Sequence, residues 1–262
     1  GAAYGNPLVL LMLGGFILAT ALERSGAHRR IALYMVRAFG GTSSRRLVFG
    51  FMCASAFLSM WISNTSTTLM LLPVALAALE KSDDPSLASP LLLGIAYAAS
   101  IGGIGTPIGT PPNMVFMGVY SEVTGGAISF GQWMLWAIPV GLIMLPIAGL
   151  WITRGVSKSG GVALPESEAW STGERRVLIV FSITAALWMT RKGPWGGWSE
   201  WLALPYANDA MVAFIAVIAL FVIPSGKQDA NGEPERLLDW QSAERIPLGM
   251  LLLFGAGITI AT

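Results

Sequence analysis

Six consecutive side chains carrying a hydroxyl or an amide, Ser63, Asn64, Thr65, Ser66, Thr67 and Thr68, interrupt the otherwise apolar stretch SMWISNTSTTLMLLP. Isolated serines and threonines in apolar helices usually bond back to their own helix. Asn64 cannot satisfy a primary amide within one turn and needs a partner, a ligand or an ion. A second stretch, GGIGTPIGTPPN at residues 102–113, puts four glycines and three prolines into twelve residues. Proline removes backbone donors and each glycine costs about 1 kcal/mol in a helix, so regular helix must stop there. Unwound backbone offers carbonyls to a monovalent cation. A helix arm beginning near Ser66 would aim free N–H groups and a positive dipole end at an anion. Hydroxyls and carbonyls suit Na+, and amides and helix ends suit carboxylate or sulfate. With no basic residue in either stretch, a co-bound cation would neutralise the anion, which is a physical reason for coupled binding.

The elements that must position these residues are membrane elements. Of the 262 residues 54% are hydrophobic and only 12% charged, about half the charged share of a soluble domain. Apolar segments run over 7–22, 47–79, 86–104, 133–152, 177–190, 210–223 and 246–262. Crossing the bilayer takes about 20 apolar residues. A single helix over 47–79 would overshoot the hydrocarbon core, so the chain must fold back at 63–68. Either a re-entrant helical hairpin or two spanning helices with a polar turn satisfies that length. The stretch 102–113 likewise reads as an unwound point in a membrane helix or as a loop outside the bilayer.

Charge placement orients the chain. Fourteen of the sixteen Lys and Arg residues, from Arg24 to Arg245 and including Lys158, fall on one face. Only Arg191 and Lys192 fall on the other, beside Trp195, Trp198 and Trp201, which have the character of an interfacial aromatic belt. The positive-inside rule makes the first face cytoplasmic and the chain a multi-pass protein of the cytoplasmic membrane. Residues 31–39 read as an amphipathic helix on that interface. Residues 10–20 (LLMLGGFILAT) and 251–261 (LLLFGAGITIA) align without gaps and run in opposite directions across the membrane, the plan of an inverted repeat. The divisions expected are 1–44, scaffold helix and interfacial arm; 45–80, hairpin; 81–122, broken helix; 123–245, the remaining helices of the first repeat and a linker; and 246–262, the opening helix of a second repeat.

Several classes of function are excluded or disfavoured. No basic stripe interleaves with aromatics as nucleic-acid binding requires. Cys53 and His28 are the only residues of their types, which excludes a disulfide and a metal site built from His and Cys. A Ser/His/Asp hydrolase would need His28, which lies among Arg24, Arg29 and Arg30. Acidic and basic residues stay at the edges of the apolar segments, which disfavours a proton relay. A channel should repeat a pore motif about an axis, and a membrane enzyme should carry acid/base residues or metal ligands at depth; neither pattern is visible.

SNT at residues 63–65 followed by GTPPN at 109–113 resembles the divalent anion:sodium symporters, carriers of dicarboxylates, citrate and sulfate, over nearly the whole chain. The resemblance implies an all-α polytopic transporter of the elevator type. Such a carrier has two inverted repeats, a re-entrant hairpin and a broken transmembrane helix, and it is a homodimer when full length. It implies Na+ as coupling ion, held by Ser59, Ser63, Asn64 and the carbonyl of Gly109. The anion would meet Asn64, Thr65, Thr110 and Pro111 of the unwound segment, and residues 29–39 would link scaffold to transport unit. A sodium-independent exchanger of the same family remains open. The family's second SNT does not occur before Thr262 and the chain opens without Met, so the expectation is a fragment that would not transport by itself.

Overall fold

The computed structural model describes residues 5–40, 43–82, 84–156, 169–192, 196–228 and 232–261. Lys158 and Trp195, used above to orient the chain, lie outside them. The helices are α1 (Pro7–Ser25), α2 (Ala27–Gly40), α3 (Ser44–Ser59), α4 (Asn64–Glu80), α5 (Ala88–Gly103), α6 (Pro111–Thr124), α7 (Phe130–Ile152), α8 (Thr172–Thr190), α9 (Trp198–Trp201), α10 (Asp209–Val222), α11 (Trp240–Ala243) and α12 (Leu248–Ala261). One antiparallel pair, β1 (Pro224–Gln228) and β2 (Pro234–Arg236), sits between α10 and α11. Among the described residues two helices, Pro7–Ser25 and Phe130–Gly155, are long and apolar enough to cross a membrane.

The chain divides into two compact units. One draws on Gly1–Ala27, Pro111–Leu135 and Trp170–Thr262, and the other on His28–Thr110 and Trp136–Ala169.

In the first unit α1 packs on α8 and α10. Local signals set the helix ends. The Asn6 side chain accepts from Leu8 N at 2.9 Å ahead of Pro7, and Gly26 closes α1 at φ 80°, a conformation that favours glycine. Ser171 and Glu174 form a reciprocal capping box at α8, and Asn208 caps α10. Arg191 is buried beside Asp209, donating from Nε to Oδ1 at 2.5 Å and from an Nη to Oδ2 at 3.0 Å. Asp209 Oδ2 also accepts from Phe130 N at 3.3 Å, and the Asp209 carbonyl from Trp188 Nε1 at 2.8 Å. Trp188 stacks on Phe130 with centroids 4.6 Å apart. At another point of the same unit Arg24 reaches Glu235 and Asp239, each at 2.6 Å.

In the second unit α3 and α5 form the core. Buried Ser55 Oγ donates to the Ile95 carbonyl across them at 2.7 Å. Gly102 lets the α5 backbone approach α3, since a Cβ there would collide with the Ala56 backbone, and Gly50 of α3 does the same toward Gly40 of α2. The fold-back within 47–79 takes the form of two helices, α3 and α4, joined at residues 60–63. Its position differs from the sequence expectation: α4 starts at Asn64, not near Ser66. Ser63 is the reason, since its Oγ accepts from Ser66 N at 3.1 Å and makes it the N-cap. α5 ends at Gly103, residues 104–110 are not α-helical, and α6 begins at Pro111. Pro111 is thus not part of the unwound segment; proline lacks the N–H that a first helical turn leaves unused. The expected amphipathic segment 31–39 lies within α2. The β1–β2 pair was not anticipated from a stretch that reads as linker, because β1 holds a proline, a glycine and three polar residues, with no apolar alternation to give a strand signal.

Candidate functional site

The tip of the α3–α4 pair meets the unwound segment after α5 inside the second unit. Ser59, the last residue of α3, is fully buried, and its Oγ donates to Asn64 Oδ1 at 2.5 Å across the bend. Helix geometry explains the pairing. α3 stops one residue before Met60, the chain turns through residues 60–63, and Asn64 opens α4, so last and first residues face each other.

Two glycines let the second stretch reach this bend. A Cβ at Gly103 would lie 2.5 Å from Asn64 Oδ1. A Cβ at Gly109 would collide with the Gly103 carbonyl oxygen and sit 3.1 Å from that of Met60. Any side chain at either position would push the stretches apart. Buried Thr106 closes the contact, its Oγ1 donating to the Met60 carbonyl. Pairwise contacts thereby link Ser59 to Asn64, Thr106 to the Met60 carbonyl, and Gly109 to the Gly103 and Met60 carbonyls. None of these groups carries charge near neutral pH, so the cluster offers a ligand only oriented dipoles, which suit a weakly demanding monovalent cation better than a divalent metal. Among the described residues no group of three or more His, Cys, Asp or Glu side chains could hold a metal ion.

The residues singled out from the sequence are distributed unevenly. Ser59 and Asn64 are brought together by their hydrogen bond, and Gly109 lies against the Gly103 and Met60 carbonyls. Ser63 is exposed, and its Oγ accepts the capping hydrogen bond. Thr65 is exposed too, and its carbonyl accepts from Thr68 Oγ1 at 2.9 Å. Thr110 is half-buried at the end of its unit, and Pro111 belongs to the other unit. Thr67, one turn along α4 from Asn64, is fully buried with a hydroxyl that has no hydrogen-bond partner among the described residues.

Sequence reasoning missed Thr106 and Gly103. A signal existed, because GTP occurs twice, at 105–107 and 109–111, and attention went to the copy followed by PN. A threonine between glycine and proline cannot bond back along a helix, so its hydroxyl must look elsewhere.

The family model described as Citrate transporter matches residues 1–262. The sodium-dependent dicarboxylate transporter SdcS of Staphylococcus saprophyticus is 35% identical over 99% of this chain and 53% of the relative. The protein of the same name from Staphylococcus aureus is 34% identical, over 98% of this chain and 52% of its own length. The chain therefore spans about half the length of these curated relatives.

Proposed function

The chain belongs to the citrate transporter family, and from that membership we propose that it supplies one site for Na+ and a small dicarboxylate to a membrane carrier. The resemblance to divalent anion:sodium symporters is met by the match over the full chain and by relatives that bear the name of sodium-dependent dicarboxylate transporters. The protein is accordingly a membrane protein of a transporter family.

In this reading Na+ is held by Ser59, Ser63, Asn64 and the Gly109 carbonyl, with Thr106 holding the Met60 carbonyl in place. The anion, a di- or tricarboxylate such as succinate or alternatively sulfate, meets Asn64, Thr65, Thr110 and Pro111. The α3–α4 pair is a re-entrant hairpin opening to the cytoplasm, and α5, the unwound segment and α6 form one interrupted membrane helix. Residues 45–122 then move as the transport unit of an elevator, with α2 as the arm from a dimeric scaffold. α1 and α12 are the opening helices of two inverted repeats in a multi-pass protein of the cytoplasmic membrane. The observation that carries the reading is the Ser59–Asn64 pair set against Gly103 and Gly109, a cluster of neutral oxygens that spends its polar capacity on itself unless a cation enters.

The test is uptake of labelled succinate into proteoliposomes by a carrier containing this chain, with Na+ outside or choline in its place. Uptake should require Na+, and Asn64→Ala should abolish it. Equal uptake in choline would overturn the coupling, and saturable counterflow independent of Na+ would identify an exchanger instead.

A further inference from the structure

The largest cavity described in the second unit lies away from the hairpin tip. It is a groove of about 1090 Å³ whose walls come from α5 and α7. Small-molecule sites usually enclose roughly 300–1,000 Å³ lined by a few convergent polar groups. This groove is at least that large, and its length is apolar: Leu93, Ile101 and Ile104 on one side, Met144 and Ile147 on the other. Ile147 and Leu93 keep 62% and 47% of their surface uncovered, so the groove is open along its side.

Its two ends are chemically different. A Cβ on Gly141 would lie 3.9 Å from Ile101, which sets the middle of α7 beside the end of α5, and Ser89 and Arg154, both far along their helices from that point, line the same groove. Ser89 and Pro90 therefore share the other end with Trp151 and Arg154. There the Arg154 guanidinium lies over the Trp151 ring, 4.0 Å from its centroid, and is exposed. One residue before Arg154, buried Thr153 accepts through Oγ1 from Arg45 Nε at 3.1 Å, which ties this end of α7 to α3. From Ser89 to Gly103 the groove wall is about 21 Å long at 1.5 Å per residue. One leaflet with its headgroup layer is about 20–22 Å, half of the full bilayer.

We infer that this groove is a binding site for an anionic phospholipid, its acyl chain lying between α5 and α7 and its phosphate on Arg154. Guanidinium forks match phosphate oxygens, and tryptophan at such a depth sits where headgroups begin. The apolar length favours a lipid over a free phosphate, which would use only the basic end. The exposed Arg154 guanidinium favours an anionic over a zwitterionic headgroup.

The purified, delipidated chain should be titrated with phosphatidylglycerol or phosphatidylcholine and bound lipid counted by native mass spectrometry. Phosphatidylglycerol should be retained about five-fold better, the gain expected from one basic side chain at a headgroup. Arg154→Gln should bring it down to the phosphatidylcholine level, whereas Arg46→Gln, which removes an exposed charge outside the groove, should leave the preference intact. Ile147→Trp should fill the groove and lower retention of both lipids, and this arm decides the matter if Arg154→Gln fails to fold by circular dichroism. An unchanged preference in Arg154→Gln, an equal loss in Arg46→Gln, or a lipid-free dimer closed over the groove would overturn the inference.

Discussion

Two places in this molecule bury polar groups, and they do so on opposite terms. Around Asp209, both carboxylate oxygens and the carbonyl are taken: Arg191 bonds the carboxylate twice, the Phe130 amide once, and the Trp188 indole fills the carbonyl. At the α3–α4 bend the groups are neutral and bonded mainly to one another, Ser59 to Asn64 and Thr106 to Met60. Nearby, the buried Thr67 hydroxyl is left over. A charge pair with every valence filled has one stable arrangement and nothing to offer a ligand. Neutral oxygens held by exchangeable hydrogen bonds can turn toward an ion at little cost. The first pattern is what a scaffold needs and the second what a binding site needs.

The contrast is broken most severely at Asp209. Asp209→Ala strands a buried guanidinium and should cost about 3–5 kcal/mol, the usual consequence of removing one partner of a buried pair. Thermal unfolding followed by size-exclusion chromatography should show the chain lost from the monodisperse peak well below the wild-type midpoint. Arg191→Met with Asp209→Leu should recover part of that loss, because no charge is then left unpaired. If Asp209→Ala alone unfolds like wild type, the pair is not the lock its geometry implies.

The bend should respond differently. Gly103→Ala places a Cβ 2.5 Å from Asn64 Oδ1, a contact that only movement of the bend can relieve. Overpacking of this kind costs about 1–3 kcal/mol, less than the Asp209 change. Its larger effect should be on ligand response: if the bend holds Na+, the ion should raise the unfolding temperature of the wild-type chain, and the variant should lose that rise. A variant that keeps the Na+ response while losing stability would show that the Asn64–Gly103 contact is packing alone.

How far these two places could be read from the sequence follows from the same contrast. The bend was legible because six hydroxyls and amides inside apolar sequence, and glycines and prolines crowded into 102–113, break strong local rules. The apolar segments likewise correspond to helices, since hydrophobic runs of that length have few alternatives in lipid. The place where α4 begins was not legible to the residue. Ser63 and Ser66 are equally good N-caps by type, and the choice between them rests on where α3 ends. The role of Thr106 depends on a long-range approach to the Met60 carbonyl, which local periodicity cannot encode. Asp209 was passed over for a related reason: it lies at the edge of an apolar segment, and only the chain's return from α8 to α10 brings Arg191 to it.

The smallest effect expected sharpens the comparison from the other side, with an ion pair that water reaches. Burial by itself would raise the Asp239 carboxyl, but hydrogen bonds from Ser242 and the charges of Arg24 and Arg245 outweigh it and hold the group below its ordinary value. A carboxyl lowered in the folded state binds its proton less readily there than in the unfolded chain. Its contribution is therefore complete above the ordinary carboxylate value near 3.8 and is lost as pH falls through the lower folded value. Asp239 remains 46% exposed, so solvent screens its pair with Arg24 and the contribution is small. Unfolding temperatures measured from pH 7 to pH 3 should fall slightly less steeply for Asp239→Asn than for wild type, with the two curves converging at the acid end. At pH 7 Asp209→Asn should lower the unfolding temperature far more than Asp239→Asn does, because a neutral amide cannot compensate a buried guanidinium. Parallel curves for Asp239→Asn and wild type would mean that the exposed pair adds nothing to folding, and that stability in this unit rests on the closed pair alone.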